Sequence, residues 1–324
     1  MTTGAPAPPP SDPPPSERAG GRAPLLALAA TGLATLVVIA LSIPKAGDVL
    51  LSIPEAILLG IVEGLTEFLP ISSTGHLTVT QDLLGLTDTE AAKEAADAYA
   101  IAIQAGAIVA VLGLYRRRVA NALLSLGGRG ADPEAGRRLA LALLLGFLPA
   151  AVLGLALGDS IKEHLFGPWP VIGAWVVGGV VILLWPRISP HAGRPLDVIT
   201  ARDAIVIGAV QMLALWPGVS RSLVVILAAV AVGLTLAAAV EFAFLLGLVT
   251  LGAATVYESL DKGGVIIDQF GLGASLAGFA AAFVSAAAAV VWMVAYVQEK
   301  GIRIFGWYRL AVAAVVAVLA LTVL

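Results

Sequence analysis

Residues 54–86 read PEAILLGIVEGLTEFLPISSTGHLTVTQDLLGL, apolar on both sides of a break at Pro70-Ile71-Ser72-Ser73-Thr74-Gly75. Neither half is long enough to cross a bilayer comfortably, which takes roughly 17 to 25 apolar residues in a helix. A second stretch, DAIVIGAVQMLALWPGVSRSLVVILAAVAVGLT at 203–235, is built the same way and breaks at Pro217-Gly218-Val219-Ser220-Arg221-Ser222. Irregular backbone at membrane depth is tolerated only where it lines protein or a water-filled cavity. Both segments are therefore expected to be re-entrant helix pairs whose broken tips sit in a polar cavity. They also align with each other: 56–63 falls on 204–211 at an offset of 148, and at that offset Ser72 falls on Ser220.

Working outward, six runs are long and apolar enough to span, near 99–115, 138–157, 170–186, 237–257, 271–296 and 306–324. The chain of 324 residues is 59% hydrophobic and 13% charged, too little charge for the surface of a soluble domain of this size. Residues 1–23, with PAPPPSDPPPSER at their heart, cannot bury a core and are expected to be a disordered Pro-rich tail. The apolar run at 24–43 is long for a signal peptide, and Ile43-Pro44-Lys45 is a poor cleavage site, so it reads as a retained extra transmembrane helix. The expected fold is all-α integral membrane. It has six core transmembrane helices, two re-entrant pairs and one extra N-terminal helix, with a membrane domain over 54–324 and repeats of about 54–157 and 203–296.

Loop charge orients this arrangement. With the tail inside, the inner loops and ends receive thirteen Arg and Lys, among them Arg116, Arg117, Arg118, Arg129, Arg137, Arg138, Arg187, Arg194 and Arg202, against four lysines outside. That asymmetry follows the positive-inside rule and makes the first broken pair enter from outside and the second from inside. Inverted repeats with broken helices at the midplane are a transporter-like architecture. A net charge of -3 argues against a nucleic-acid partner. No cysteine is present, which excludes disulfides, thiolate metal sites and cysteine nucleophiles. Three histidines leave little room for a histidine metal centre, and two of them, His164 and His191, fall in expected loops.

Ionisable groups in a membrane segment cost several kcal/mol by insertion scales, so each is a functional hypothesis. Here they are Glu63, Glu67, His76, Arg221 and Glu241. Glu63 and Glu67 stand four apart, on one helix face. Two close carboxylates repel unless a cation or shared proton intervenes. A hard divalent ion, Mg²⁺ or Ca²⁺, with phosphate as co-ligand would satisfy them; the plainer alternative pairs one with Arg221 and protonates the other. Hydroxyls of Ser72, Ser73 and Thr74 beside His76 suit a nucleophile with a base, His76 or a glutamate, although such hydroxyls often bond only their own backbone. Arg221 between Ser220 and Ser222, at the start of a helix, suits a phosphate. Glu241 is expected to support this site, and Gln104 and Gln211 to make interhelical hydrogen bonds.

Together these residues closely resemble the undecaprenyl-diphosphate phosphatase family, membrane enzymes associated with bacitracin resistance. The stretches that carry the resemblance are GIVEGLTEFLPISSTGHL at 60–77, ALWPGVSRS at 214–222, EFAFLL at 241–246 and RIFGWYR at 303–309, and it runs from about Ile57 onward. It implies that Glu63 and Glu67 are the acidic pair assisting divalent metal, Ser73 the proposed nucleophile, His76 the catalytic histidine and Arg221 the phosphate-binding arginine. Glu67 is the alternative proton acceptor, and Ser220, Ser222 and Thr74 are read as further phosphate-binding groups. The implied reaction is hydrolysis of undecaprenyl diphosphate to the monophosphate carrier in the bacterial plasma membrane, supporting cell-wall peptidoglycan synthesis, from a site open to the extracytoplasmic side. Leu223 stands where the family usually has Gly, and Val249 where Pro is common.

Three other readings compete. A transporter or flippase of lipid-linked phosphate would share the inverted repeat and need Arg221, but would have no use for a nucleophile beside His76. Lipid phosphatases with two histidines are excluded because no histidine follows Arg221. A non-catalytic scaffold conflicts with the cost of the buried charges. The expected partners are a polyprenyl diphosphate and membrane lipids, with a homodimer left open.

Overall fold

The computed structural model describes residues 51–165, 167–186 and 192–322. The Pro-rich tail and the extra helix expected at 24–43 lie outside these residues. The described chain is helical: α1 Ile53–Thr66, α2 Ser73–Leu83, α3 Glu90–Leu114, α4 Arg116–Leu126, α5 Pro133–Leu165, α6 Pro168–Leu184, α7 Ala201–Gln211, α8 Arg221–Ala231, α9 Leu236–Lys300 and α10 Arg303–Thr322. Short 3-10 turns at Leu196–Val198 and Met212–Leu215 precede and follow α7. Gly271, at φ 72° and ψ 157°, interrupts α9 and divides it into two spans.

Among the described residues, five helical stretches are long and apolar enough to cross a membrane: Ala92–Leu114, Pro133–Gly158, Leu236–Glu258, Phe270–Lys300 and Arg303–Thr322. The chain is a multi-pass membrane protein. The sixth expected span, α6, has 17 residues, or about 25 Å of helix against a hydrocarbon core of about 30 Å. Its limits are local. Pro168 opens the helix, and Pro186 forces Trp185 out of helical geometry, to ψ 136°. α5 runs further than expected, so His164 lies on a helix, its Nδ1 2.8 Å from the Ser160 carbonyl. Exposed apolar side chains run along the spans: Leu141, Leu144, Leu148, Val152 and Leu155 on α5, and Val315, Val318 and Leu321 on α10. Such apolar stripes belong against lipid.

The two broken segments match element by element. Each first helix opens with a capping box, Ser52–Glu55 on α1 and Thr200–Asp203 on α7. There the N3 carboxylate accepts from the cap amide at 2.8 Å and 3.0 Å. Each second helix starts after a serine in a rare backbone conformation, Ser72 at φ 72°, ψ 100° and Ser220 at φ 74°, ψ 109°. α2 and α8 both run for 11 residues, and each is followed by a positive-φ glycine, Gly85 and Gly233. Every one of these pairs is separated by the 148 residues read from the sequence.

The first helices of the two broken segments pack in a corresponding way. α1 lies on the second span of α9, with Gly60 so close that a Cβ there would stand 2.2 Å from the Gly278 carbonyl oxygen. α7 lies on α5, where a Cβ on Gly208 would stand 2.5 Å from the Gly146 oxygen. The first helix of each broken segment therefore beds against a long apolar helix through the equivalent glycine, Gly60 or Gly208. The main core is formed by α8 and the start of α9, with Leu223–Ala229 and Leu236–Leu246 packed around Phe68 and Ile207.

Candidate active site

The first break is buried, so its backbone polar groups need partners within the protein. Four consecutive carbonyls each receive a side-chain donor. Ser222 Oγ donates to Leu69 at 2.8 Å, Arg309 Nη1 to Pro70 at 3.3 Å and Trp175 Nε1 to Ile71 at 2.9 Å. His76 Nδ1 donates to Ser72 at 2.7 Å. The donors come from α8, α10, α6 and α2, so the loop is fixed from several directions. Ser72 holds a φ sparsely populated by non-glycine residues, a strain that persists only where surroundings over-determine it.

This frame sets α2 so that Ser73 Oγ donates a hydrogen bond to Glu67 Oε2. The other carboxylate oxygen, Oε1, accepts from Arg221 Nη2 at 3.0 Å. Arg221 in turn donates to the Ala243 carbonyl at 2.7 Å and lies 5.4 Å over the Phe68 ring, a favourable place for a guanidinium. A carboxylate thus links a hydroxyl at the first break to a cation at the second, with both charged side chains at least nine-tenths buried. Of the two plainer fates weighed for the acidic pair, partnership of one glutamate with Arg221 is the one seen.

A cavity of about 190 Å³ opens beside this trio. Glu67, Ser72, Ser73, Thr74, Ser220 and Arg221 line it. Ala150, Leu215, Trp216 and Leu251 give it an apolar side. The N-termini of α2 and α8 both border it, and helix N-termini favour anions through free amides and the helix dipole. Gln104 and Gln211 line it as well. Three buried polar atoms have no hydrogen-bond partner among the described residues: Glu63 Oε1, Gln211 Oε1 and Arg221 Nε. Glu63 and Gln211 stand 148 residues apart, at the same position in the two broken segments. Gln211 Nε2 donates to Gly146 O at 3.4 Å, so the expected interhelical bond is present, while its oxygen remains unpartnered beside the cavity.

Of the remaining expected site residues, only Ser220 borders the cavity. Glu63 is one turn behind Glu67, almost fully buried, and does not line the cavity. Ser222 is buried, with its hydroxyl given to Leu69 and lying 3.0 Å from Ser220 Oγ. Ser220 caps α8 through the Leu223 amide at 3.3 Å. The Leu223 side chain is buried in the core, so its replacement of the usual glycine places no bulk at the cavity. His76 does not line the cavity; its Nε2 faces Tyr308 Oη at 2.9 Å. Glu241 is a correction to the expected supporting role: it pairs at 2.7 Å with Arg118, which also reaches Asp197 at 2.7 Å.

Arg309 has no part in the site expected from the sequence. It is fully buried and donates to four carbonyls, Pro70 at 3.3 Å, Gly218 at 2.8 Å, Ala174 at 2.9 Å and Trp175 at 3.4 Å. One guanidinium therefore ties both breaks to α6. The available signal was an arginine inside the apolar run 306–324.

With this geometry in hand, comparison with known proteins decides the family. A family model of the bacitracin resistance protein BacA matches residues 56–315. The chain belongs to that family. Among its relatives, an undecaprenyl-diphosphatase of Sorangium cellulosum is 43% identical over 267 residues, covering 81% of this chain and 84% of that protein. Undecaprenyl-diphosphatase 2 of Rhodospirillum rubrum is 44% identical over 264 residues, 81% of this chain and 93% of that protein. An undecaprenyl-diphosphatase of Acidovorax ebreus is 42% identical over 275 residues, 84% and 96% of the two chains. The BacA-family match takes in both breaks, with Glu67, Ser73 and Arg221, and α10 as far as residue 315, including Arg309.

Proposed function

We propose that this protein hydrolyses undecaprenyl diphosphate to undecaprenyl phosphate and inorganic phosphate, recycling the lipid carrier used in cell-wall synthesis. The observation that carries the reading is the bridge by which Glu67 joins the Ser73 hydroxyl to Arg221 at a polar cavity, in a chain whose relatives bear the name of that activity. A transporter needs the arginine for substrate charge. It has no need of a serine held on a buried carboxylate.

In this mechanism the diphosphate enters the cavity and its terminal phosphoryl oxygens meet Arg221, whose Nε is free to donate, and the amides that open α2 and α8. Thr74 and Ser220, on the cavity wall, are further phosphate-binding groups; Ser222 contributes by holding the first break. Ser73 Oγ attacks the terminal phosphorus and passes its proton to Glu67, the base within reach. The bond from that phosphorus to the bridging oxygen breaks, and undecaprenyl phosphate departs with the proton that Glu67 returns to it. Water then attacks the phosphoserine as the Glu67 carboxylate takes its proton, and Glu67 passes that proton to Ser73 Oγ as phosphate leaves. Electrostatic stabilisation of the phosphoryl oxygens is the main contribution in such transfers.

In this reading a divalent cation, Mg²⁺ or Ca²⁺, would draw on the acidic pair, taking a Glu67 oxygen that Ser73 or Arg221 occupies here. Among the described residues there is no cluster of three or more His, Cys, Asp or Glu, so Glu63 and Glu67 would supply the protein ligands and the remaining oxygens would come from substrate and water. The unpartnered Glu63 Oε1 supports this assignment. When bound, the ion would neutralise phosphoryl charge.

The 148-residue correspondences and the corresponding glycine packing support an inverted repeat with two re-entrant pairs. The arginine-rich loops at 116–137 and 187–202 support a site open to the extracytoplasmic side of the bacterial plasma membrane. The test is phosphate release from undecaprenyl diphosphate by the purified protein. Lipid translocation in vesicles without phosphate release would instead favour the transporter.

A further inference from the structure

We propose that His76 is a positioning residue, the fourth donor of the series that fixes the first break, and that it takes no proton from the nucleophile. The inference deepens the phosphatase reading and rests on it.

A carbonyl can only accept, so the 2.7 Å contact to Ser72 O puts a proton on His76 Nδ1. In the neutral ring Nε2 is then an acceptor, and Tyr308 Oη at 2.9 Å is its donor. Both nitrogens are occupied. The ring is also held by its faces, stacked on Tyr308 at 5.7 Å and set edgewise to Trp175 at 5.0 Å. Ser73 already has a base, Glu67, and His76 is absent from the cavity wall.

What His76 does have is the carbonyl of the one residue in the break with a strained backbone, directly before the nucleophile. Ser222, Arg309 and Trp175 hold the three preceding carbonyls in the same manner. Tyr308 and Arg309 are neighbours on α10, so one helix sets the ring through Tyr308 and the Pro70 carbonyl directly through Arg309. The alignment of Ser73 with Glu67 is therefore fixed through His76 rather than served by it.

Asparagine and glutamine separate the two roles, because an Asn amide falls near Nδ1 and a Gln amide near Nε2. In purified full-length protein, with undecaprenyl diphosphate as substrate, His76→Asn should keep kcat within about tenfold of wild type. His76→Ala and His76→Gln should lose about a hundredfold or more, the scale of a misplaced acid–base pair. The pH–rate profile of His76→Asn should keep its acid limb. Amide exchange of the peptide around 68–76 should stay slow in His76→Asn and accelerate in His76→Ala and His76→Gln, a readout that needs no catalysis. An Asn variant as inactive as Ala, with slow exchange and no acid limb, would make His76 the base and overturn the proposal. Unchanged exchange in the Ala variant would overturn it equally. A wild type that releases no phosphate sinks the phosphatase reading, while the exchange result still decides whether His76 holds the break.

Discussion

Glu67→Gln probes the centre of the site with almost no change of shape. Glu67 accepts from Ser73 on one oxygen and from Arg221 at 3.0 Å on the other. Glutamine keeps one acceptor and turns the other oxygen into a donor, so Ser73 must rotate to accept and loses its base. Removing a positioned general base costs about 10²–10⁴ in rate, or about 3–5 kcal/mol at 1.36 kcal/mol per tenfold. Arg221 meanwhile loses a carboxylate that competes with phosphate for its donors. The Michaelis constant should accordingly stay level or fall while kcat collapses. Arg221→Met should show the opposite emphasis, because it removes charge-assisted hydrogen bonds of about 1.5–3 kcal/mol each to the substrate. The assay is phosphate release across a substrate series in detergent micelles. Elution as a monodisperse peak, with thermal unfolding, checks that each variant is folded, since breaking a buried ion pair can cost about 3–5 kcal/mol. A Glu67→Gln enzyme with kcat within a few-fold of wild type and a raised Michaelis constant would refute the assignment of Glu67 as base.

Gly60→Ala and Gly208→Ala should both lower the thermal midpoint in detergent, each by an overpacking cost of about 1–3 kcal/mol, because their Cβ atoms would meet backbone oxygens at 2.2 Å and 2.5 Å. Gly113→Ala, with nothing within 4 Å of its Cβ, should leave it level or raise it by about 0.5–1 kcal/mol of helix stability; the reverse order would sink the close glycine packing. Glu63→Gln should raise the Mg²⁺ or Ca²⁺ concentration needed for half-maximal phosphate release, and full wild-type activity in excess chelator would remove the cation from the scheme. Thr89 and Gly128 are exposed and the chain has no native cysteine. An impermeant thiol reagent on intact cells should therefore label Thr89→Cys and spare Gly128→Cys, and the opposite pattern would turn the orientation over.

The breaks were legible in the sequence because Pro, Gly and Ser interrupt apolar runs there, and local chemistry of that kind acts at short range. The acidic pair and Arg221 were legible because charge is scarce in lipid-facing sequence and each instance stands out. Arg309 was passed over because it sits near a helix start, where a cation needs no explanation. Its acceptors at Pro70, Ala174, Trp175 and Gly218 lie 91 to 239 residues away, and nothing local encodes them. His76 follows Ser73 by three residues, a spacing that suggests a shared helix face. At the first turn of α2, however, Ser73 turns back to Glu67, and His76 reaches the carbonyl four residues behind it. Glu241 was judged by its segment alone, and its partner Arg118 is 123 residues earlier.

The four donors of the first break also impose an order in time. Residues 69–72 leave the ribosome early. Ser222 and Arg309, two of the groups that hold their carbonyls, are made about 150 and 240 residues later. Until α9 is complete, α1 has no second span of α9 to lie on, and until α10 follows, Pro70 and Gly218 lack the guanidinium that joins them. A growing chain thus carries Ser73 through most of synthesis without the donors that hold the break before it. Long-range closure of this kind slows folding. It also means that the first break is fully held only when α10 takes its place.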